Sequence, residues 1–343
     1  MFSMKKLHFF KILAISLFTV ISCTGISGAV ALDKVTVGAL RFTSHAGTFV
    51  AYERGYFKEQ GLDVEIKFFQ AAQPIAVAIA SGDIDFGIGP VSGGMINLAN
   101  KGAIKVIGGV LHEEAGIDGQ MILASKKAYD AGLTSPAALK GKTFGITQAG
   151  SSFHYMAHKI ADKEGFARSD IKVKPLQKVG IIVGALKTGQ IDSWAIVPHI
   201  AKALAKAPTV EVIGKVSDYI PDYQVTTMFT SASNAAEKKE LVKRFIAAFS
   251  KGADDFNAAL VDKTAGEAEA EEMIKLIHKY VYADRPYEKA APSIRNGAMR
   301  TNSNAKLNLT SIKDQLSWFQ SENLVPKSVT IEQLVDTSFV ETY

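Results

Sequence analysis

Cysteine is almost missing from this chain of 343 residues, since Cys23 is the only one. A single cysteine excludes a disulfide within the chain and a metal site built from several thiolates. Because Cys23 lies so near the amino terminus, a cysteine nucleophile inside a folded domain is excluded too. The chain must therefore be stabilised by packing and do its chemistry with other side chains.

A strong excess of one charge is also missing. The chain has 39 Lys and Arg against 34 Asp and Glu, a formal net charge of +5. Residues 1–31 contain three of the lysines and no acid, so the remainder carries about +2. A scattered and nearly balanced charge offers no electrostatic basis for binding nucleic acid. Nucleic acid is not expected as a partner.

The main apolar run of the amino terminus is too short for a transmembrane span. It extends from Ile12 to about Ile21, follows three lysines and is followed by small residues that end in Ala-Val-Ala at 29–31. This pattern predicts a signal peptide over residues 1–31. A competing interpretation is a lipoprotein signal, because Val-Ile-Ser precedes Cys23. Both interpretations predict an exported protein that is periplasmic, and the second adds a lipid anchor at Cys23.

An internal repeat is present at a constant offset of 107 residues. Residues 35–85 match residues 142–192 with 11 identities in 51 positions, and GDID at 82–85 aligns with GQID at 189–192. A chance likeness of two βα units is the alternative explanation. Each copy has the pattern strand, helix, strand, helix, strand, which is typical of a parallel sheet covered on both faces.

The repeat predicts an α/β protein of two lobes, each a doubly wound sheet with helices on both faces. From 235 to about 323 the pattern is mostly helical, and we expect these C-terminal helices to pack on lobe 1. The chain would cross between lobes near QMILAS and QVTTMF. The expected boundaries are 1–31 for the signal peptide, 32–123 for the first part of lobe 1, 124–226 for lobe 2, and 227–343 for the return to lobe 1.

Ligands of open α/β sheets bind beyond the carboxyl ends of the strands. That rule selects the loops at 41–47, 89–94, 148–154 and 197–199. Serines open helices there, and each is either a simple N-cap or a ligand contact. Ser44 and Ser151 are equivalent in the repeat. Trp194 either lines a pocket or lies in the core, and histidines 45, 154 and 199 are either anion contacts or polar surface groups.

Two kinds of chemistry are not favoured by these loops. GSSFH at 150–154 lacks the second glycine of the G-x-S-x-G turn that exposes a hydrolase serine. His154 and His158 have the spacing of two metal ligands, but no third ligand is evident, so no metal site is expected. The serines are interpreted as residues that hold a ligand without changing it.

Several segments resemble the periplasmic solute-binding proteins of ABC importers for nitrate, sulfonates and taurine, a family that is also similar to thiamine-pyrimidine biosynthesis proteins. These segments are ERGYFKEQGLDVEI at 53–66, SGDIDFGIG at 81–89, LKGKTFGITQAGSSFHYMAHKIADKEGF at 139–166 and ALKTGQIDSWAIVPHIAKAL at 185–204. The resemblance implies a hinged, two-lobed, monomeric receptor that has no catalytic activity or cofactor and passes a small molecule to a membrane permease.

The motif positions imply a set of ligand contacts: Ser44, His45, Ser92, Gly93, Ser151, Ser152, Phe153, Trp194 and Pro198. Relatives often have Glu-Pro where this chain has Val197-Pro198, which weakens the case for ligands bearing an ammonium group. Helix starts and hydroxyls favour an aliphatic or aromatic sulfonate or carboxylate, with Arg41 as a possible partner. A neutral thiamine-pyrimidine precursor, a biosynthetic enzyme on the same fold and a chemosensory receptor are the alternatives.

Overall fold

A computed structural model describes residues 31–343, which contain two five-stranded sheets. The predictions of a signal peptide and of a lipidated Cys23 concern residues that, apart from Ala31, lie outside the described part. The strands are β1 (Asp33–Ala39), β2 (Leu62–Phe68), β3 (Phe86–Gly89), β4 (Ile104–His112), β5 (Met121–Ser125), β6 (Thr143–Ile146), β7 (Lys172–Pro175), β8 (Ser193–Ile196), β9 (Val210–Lys215) and β10 (Gln224–Ser231).

The two sheets have the same topology. The first, in lobe 1, has the order β2-β1-β3-β10-β4, and the second, in lobe 2, has the order β7-β6-β8-β5-β9. The α/β class and the two lobes are confirmed. The strands within each copy of the repeat are parallel, as expected, whereas β10 runs antiparallel to β3 and β4, and β5 runs antiparallel to β8 and β9. Each antiparallel strand is the first one after a crossing between lobes, so the chain enters it from the opposite direction.

The crossings between lobes lie between β4 and β5 and between β9 and β10. QMILAS supplies β5 of the second sheet, and QVTTMF supplies β10 of the first. Both crossings therefore precede the expected boundaries at 123 and 226 by a few residues. The two crossing segments run side by side, since the Glu113 N–H donates to the Tyr223 carbonyl at 2.9 Å.

Equivalent residues of the repeat make equivalent contacts. The Thr36 N–H donates to Asp85 Oδ2 at 2.8 Å, and the Thr143 N–H donates to Asp192 Oδ2 at 2.8 Å. In each lobe the first strand also carries a glycine against two isoleucines. A Cβ at Gly38 would lie 2.5 Å from Ile84 and 2.9 Å from Ile75, and one at Gly145 would lie 2.6 Å from Ile191 and 2.8 Å from Ile182. The shared residues thus fix the same local packing twice.

Helices cover both faces of the sheets. They are α1 (Ala46–Glu53), α2 (Tyr56–Glu59), α3 (Ala72–Ser81), α4 (Gly93–Asn100), α5 (Lys126–Asp130), α6 (Ser152–Glu164), α7 (Val179–Lys187), α8 (Pro198–Ala205), α9 (Ala232–Glu237), α10 (Lys239–Phe256), α11 (Glu267–His278), α12 (Tyr287–Arg295), α13 (Leu309–Ser321) and α14 (Ile331–Leu334). Within residues 31–343, none of the helices combines the length and the apolar character that a membrane crossing requires.

The C-terminal helices pack on lobe 1, as expected, and they also reach lobe 2. Helix α10 packs on α1 so closely that a Cβ at Gly252 would lie 2.4 Å from the Gly47 carbonyl. Helix α12 contacts α8, and α13 contacts α6, both in lobe 2. The C-terminal segment therefore connects the lobes through packing contacts, whereas the two crossings connect them through the backbone.

Candidate functional site

One cavity lies where the two lobes face each other. The loops that follow β1, β3, β6 and β8 all contribute to its wall, together with the starts of β5 and β10. The space between its walls, including the part open to solvent, is about 630 Å³. The lining residues are Leu40, Phe42, Ser44, His45, Ala71, Ala72, Gln73, Pro90, Ser92, Gln120, Thr147, Gln148, Ser151, Ser152, Phe153, Val179, Ile196, Val197, Val225 and Thr226.

Six of the nine residues that the sequence suggested as ligand contacts line this cavity: Ser44, His45, Ser92, Ser151, Ser152 and Phe153. Gly93, Trp194 and Pro198 lie next to it and do not line it. Trp194 is fully buried beneath Phe153, with the two rings in an edge-on arrangement 5.5 Å apart. Pro198 is the first residue of α8, where its fixed φ favours the start of a helix. The Gly93 N–H donates to the Gly150 carbonyl at 2.9 Å.

The Ser151 hydroxyl has no partner. Ser151 occupies the N-cap position of α6, but its side chain makes no capping hydrogen bond. The residue is 6% exposed, and its Oγ is buried without a hydrogen bond in the described part of the chain. An unpaired buried hydroxyl costs about 1–3 kcal/mol. The interpretation of Ser151 as a simple cap is wrong, and the residue lies in the wall of the cavity with its hydroxyl unpaired among residues 31–343.

The Ser92 hydroxyl is already engaged. It accepts from the Met95 N–H at 3.2 Å, as an N-cap of α4, and donates to Gln73 Oε1 at 2.9 Å. Ser92 is therefore the N-cap of α4. Because the Gln73 carbonyl oxygen is used by Ser92, the amide nitrogen is the part of Gln73 that remains to donate.

Two buried histidines, His45 from lobe 1 and His199 from lobe 2, pack against the ring of Phe42 beside the cavity. Burial lowers the pKa of His45 and of His199 to about 3, so both rings are neutral at neutral pH. The Leu40 N–H donates to Nδ1 of His45 at 3.3 Å, which places the ring proton of His45 on Nε2. Phe42 packs edge-on against His199, with ring centroids 5.4 Å apart. Ser44 lies in a 3-10 turn at Thr43–His45 and does not cap a helix.

Among the residues that the structure describes, no Lys, Arg, Asp or Glu belongs to the lining of the cavity. Arg41, suggested from the sequence as a partner for an anion, lies elsewhere, with its guanidinium 3.8 Å from the ring centre of Phe68 and a hydrogen bond to the Tyr280 carbonyl. The polar side chains of the wall are instead the hydroxyls of serines and threonines, the amides of three glutamines and the His45 ring. Such a wall is rich in hydrogen-bond donors that carry no formal charge.

Three glutamines of the wall were not selected from the sequence: Gln73, Gln120 and Gln148. Gln120 is 3% exposed, and its Nε2 is buried without a partner among the described residues. It lies at the end of the first crossing, where no motif marks it. Gln148 lies inside the loop at 148–154 that the sequence analysis identified, so it could have been predicted from its position. Gln73 could not, because it reaches the cavity only through the packing of α3.

Histidines 154 and 158 form a pair in α6 behind the cavity wall, with their Nε2 atoms 3.0 Å apart. Within residues 31–343, no group of three or more His, Cys, Asp or Glu side chains is placed to hold a metal ion. Both residues are buried, so the interpretation of His154 as a surface group is wrong.

Comparisons with solved structures give the fold. The alkanesulfonate-binding protein SsuA from Xanthomonas axonopodis pv. citri, bound to MOPS, has a TM-score of 0.70 at 18% identity, over 90% of this chain and 100% of that one. The nitrate-binding protein NrtA from Synechocystis PCC 6803 has a TM-score of 0.69 at 14% identity, over 88% and 84%. A mutant of DszB in complex with biphenyl-2-sulfinic acid is more distant, with a TM-score of 0.55 at 12% identity over 90% and 97%.

Sequence comparison gives the family. A protein of Brucella abortus (strain 2308), provisionally named a binding protein, is 29% identical over 215 residues, which are 62% of this chain and 63% of that protein. The match thus spans less than two thirds of the length of this curated relative. The NMT1/THI5-like family model matches residues 42–259, a range that holds most of the first copy of the repeat, all of the second copy and most of the residues that line the cavity. The chain belongs to the NMT1/THI5-like family.

Proposed function

We propose that this protein is the extracytoplasmic substrate-binding component of an ABC importer, which captures a small organic anion between its lobes and delivers it to a membrane permease. The observation that carries the proposal is the unpaired, buried Ser151 hydroxyl in the wall of an interlobe cavity. A ligand that accepts a hydrogen bond there would remove the cost of burying that hydroxyl alone. The same ligand would contact both lobes, which is the requirement for favouring a closed state.

The wall supports an oxyanion as the bound group. Ser151 and Gln120 belong to the cavity wall, and each has a donor without a hydrogen-bond partner among residues 31–343. The start of α6 also borders the cavity, and a helix start stabilises negative charge. No carboxylate lines the cavity, so an ammonium group would find no partner. Leu40, Phe42 and Phe153 offer an apolar surface for the rest of the ligand. An aliphatic or aromatic sulfonate fits these features best, and a carboxylate is next.

Export is part of the proposal, because a receptor for an importer works outside the cytoplasmic membrane. The signal sequence over residues 1–31 would place the protein in the periplasm, either free after cleavage or held by a lipid on Cys23. The internal repeat already supplies both halves of one binding site, so a single chain is sufficient and we expect a monomer.

A neutral thiamine-pyrimidine precursor is the second candidate ligand. The specific observation in its favour is the missing positive side chain in the cavity wall. A pyrimidine ring would stack between apolar residues and use the glutamine amides. The enzyme alternative has less support: residues 31–343 contain no cysteine, and the cavity wall contains no carboxylate that could act as an acid or a base.

Calorimetric titration of ligand-stripped protein tests the proposal. The panel holds MOPS, short alkanesulfonates, aromatic sulfonates and carboxylates, nitrate and an aminopyrimidine, with taurine as the ammonium-bearing control. We expect binding at micromolar or lower Kd for one class of organic anion, weaker binding of taurine, and a loss of affinity in Ser151→Ala. Tight binding of the pyrimidine alone would replace the anion by the second candidate. No binding to the whole panel, or affinity unchanged in Ser151→Ala, would contradict the proposal.

A further inference from the structure

A chain of hydrogen bonds runs from the cavity wall into helix α6. The Gly150 N–H donates to Nδ1 of His154 at 3.2 Å, and Nε2 of His154 lies 3.0 Å from Nε2 of His158. Nδ1 of His158 lies 3.4 Å from Glu322, which follows α13. Gly150 directly precedes Ser151, so the chain ends at the loop that presents the unpaired hydroxyl.

The positions of the protons in this chain follow from its first member. Because Nδ1 of His154 accepts from Gly150, the proton of that ring is on Nε2 and points at His158. Nε2 of His158 must then accept, which puts the proton of the second ring on Nδ1, facing the Glu322 carboxylate. Nδ1 of His158 lies at ion-pair distance from Glu322 without making a hydrogen bond, and the order of the other two bonds holds only while both rings are neutral.

The same loop makes a direct contact between lobes. The carbonyl of Gly150 accepts from the N–H of Gly93, the first residue of α4 in lobe 1, at 2.9 Å. Gly150 has a φ of +72°, and a Cβ there would lie 3.6 Å from both Gly93 and Leu324. The two backbones approach this closely only while the Gly150 segment keeps its conformation, which His154 holds through the Gly150 N–H.

We infer that His154 is a positioning residue: in its neutral form it holds Gly150 in the conformation that closes the cleft against Gly93, and protonation of the histidine pair releases this contact. An added proton on His154 would point at the Gly150 N–H. An added proton on His158 would point at the Nε2 proton of His154. Either event places two hydrogens face to face and breaks the chain at a defined bond.

The charges around the pair oppose one another. Glu322 and Asp162 favour a positive His158, while Arg168, which is paired with both of these acids, disfavours it. His154 faces His158 and, farther away, Glu322. Burial is the largest effect on both rings, and it lowers the pKa of His154 to about 4. In an open form with an ordinary histidine pKa near 6.5, the closed-to-open ratio would fall about 30-fold between pH 8 and pH 5 through this residue.

The matched variants are His154→Asn and His154→Leu. The Asn side-chain oxygen can take the place of Nδ1 as the acceptor for Gly150 and does not titrate, whereas Leu has similar bulk and no acceptor. Closure is measured as the distance between spin labels on cysteines placed at Val77 in α3 and Ile181 in α7, in a Cys23→Ser background. Both sites are about half exposed, and the helices that carry them begin at opposite sides of the cavity.

We expect the closed fraction of the protein with His154, with and without saturating MOPS, to fall from pH 8 to pH 5. In His154→Asn the closed state should persist at pH 8. Between pH 8 and pH 5, the fall of its closed-to-open ratio should be smaller than that of the protein with His154 by a factor of about 30. Any fall that remains comes from the buried His45 and His199, which titrate in both proteins. His154→Leu should be open at pH 8. Three results would each overturn the inference. The first is the same pH dependence of closure in the unsubstituted protein and in His154→Asn. The second is a closed fraction of His154→Leu equal to that of the unsubstituted protein at pH 8, and the third is an unsubstituted protein that is not closed at pH 8. Closure that follows pH but ignores MOPS would count only against the proposed ligand.

Discussion

Ser151 and Ser92 both stand at the start of a helix that borders the cavity, but they use their hydroxyls differently. Ser92 caps α4 through the Met95 N–H, whereas Ser151 caps nothing and has a buried, unpaired Oγ. The sequence identifies both residues as candidates, because a serine at the start of a helix either caps the helix or contacts a ligand. The sequence does not distinguish these two roles, because they depend on where each side chain points after packing.

The two serines therefore predict opposite effects of alanine. Ser151→Ala should weaken binding of the ligand found by titration by about 10- to 100-fold, as expected for one lost hydrogen bond to a charged group, and should not lower the unfolding free energy of the ligand-free protein, because it removes an unpaired buried hydroxyl. Ser92→Ala should lower the unfolding free energy by about 1 kcal/mol through the lost cap. Calorimetric titration and urea unfolding of both variants check this. A stability loss in Ser151→Ala equal to that in Ser92→Ala would show that Ser151 is a structural cap.

Gly38 and Gly145 give a second prediction at this scale. A Cβ at either position would meet two buried isoleucines at 2.5–2.9 Å, so Gly→Ala at each should lower the unfolding free energy by about 1–3 kcal/mol. Gly184 is the control, because it lies in helix α7 with nothing within 4 Å of its Cβ position. Gly184→Ala should be neutral or stabilising. Urea unfolding measures all three, and a large cost at only one of the two strand glycines would mean that the repeat is not equivalent in packing.

At the scale of elements, the sequence predicts best where local pattern decides. The apolar spacing in the second copy of the repeat predicts a helix over 152–164, which is α6 at Ser152–Glu164. The first copy predicts one helix over 46–59, but this segment is divided into α1 and α2 at Gly55, whose φ of +76° ends the first helix. The antiparallel direction of β5 and β10 was not predicted, because strand direction depends on which sheet the chain enters and not on the residues of the strand.

The contact between α13 and α6 also lies beyond local pattern, and it predicts a measurable coupling. The buried Tyr155 hydroxyl of α6 donates to the Asp314 carboxylate of α13, which also pairs with Lys159. Asp314→Ala should lower the unfolding free energy by about 1 kcal/mol, since it leaves that hydroxyl unpaired. In a Tyr155→Phe background the same change should cost less. A double-mutant cycle by chemical unfolding measures the difference, and strictly additive effects would contradict the coupling.

At the scale of the whole molecule, a buried carboxyl group lies where the chain crosses between lobes. Glu113 is fully buried, one of its oxygens accepts from the Gln120 N–H at 3.0 Å, and the other has no partner among residues 31–343. Burial raises the pKa of Glu113 to about 7. This crossing therefore contains an acid that is neutral below that pH, and nothing in its local sequence, HEEAG, distinguishes it from the half-buried Glu114, which pairs with Arg300.

This raised pKa sets the sign of a pH effect. The folded pKa lies above the unfolded value near 4.5, so the neutral form contributes stability at low pH that is lost as pH rises through 7. Glu113→Gln, which keeps an acceptor for Gln120, should raise the unfolding free energy by about 2–3 kcal/mol at pH 8 and have no effect near pH 4. Chemical unfolding at both pH values is the measurement, with Glu114→Gln as the control. A stability change independent of pH would show that Glu113 is not a buried neutral acid.

The cavity between the lobes is the claim on which the proposed function rests, and its occupancy can be observed directly. The most direct measurement is the anomalous diffraction of bromine in crystals grown with a short bromoalkanesulfonate. We predict one strong bromine peak inside the cavity, near Phe42 and Phe153, with the sulfonate at Ser151 and the start of α6. A peak elsewhere on the protein, or an empty cavity at a ligand concentration far above the Kd measured by titration, would contradict it.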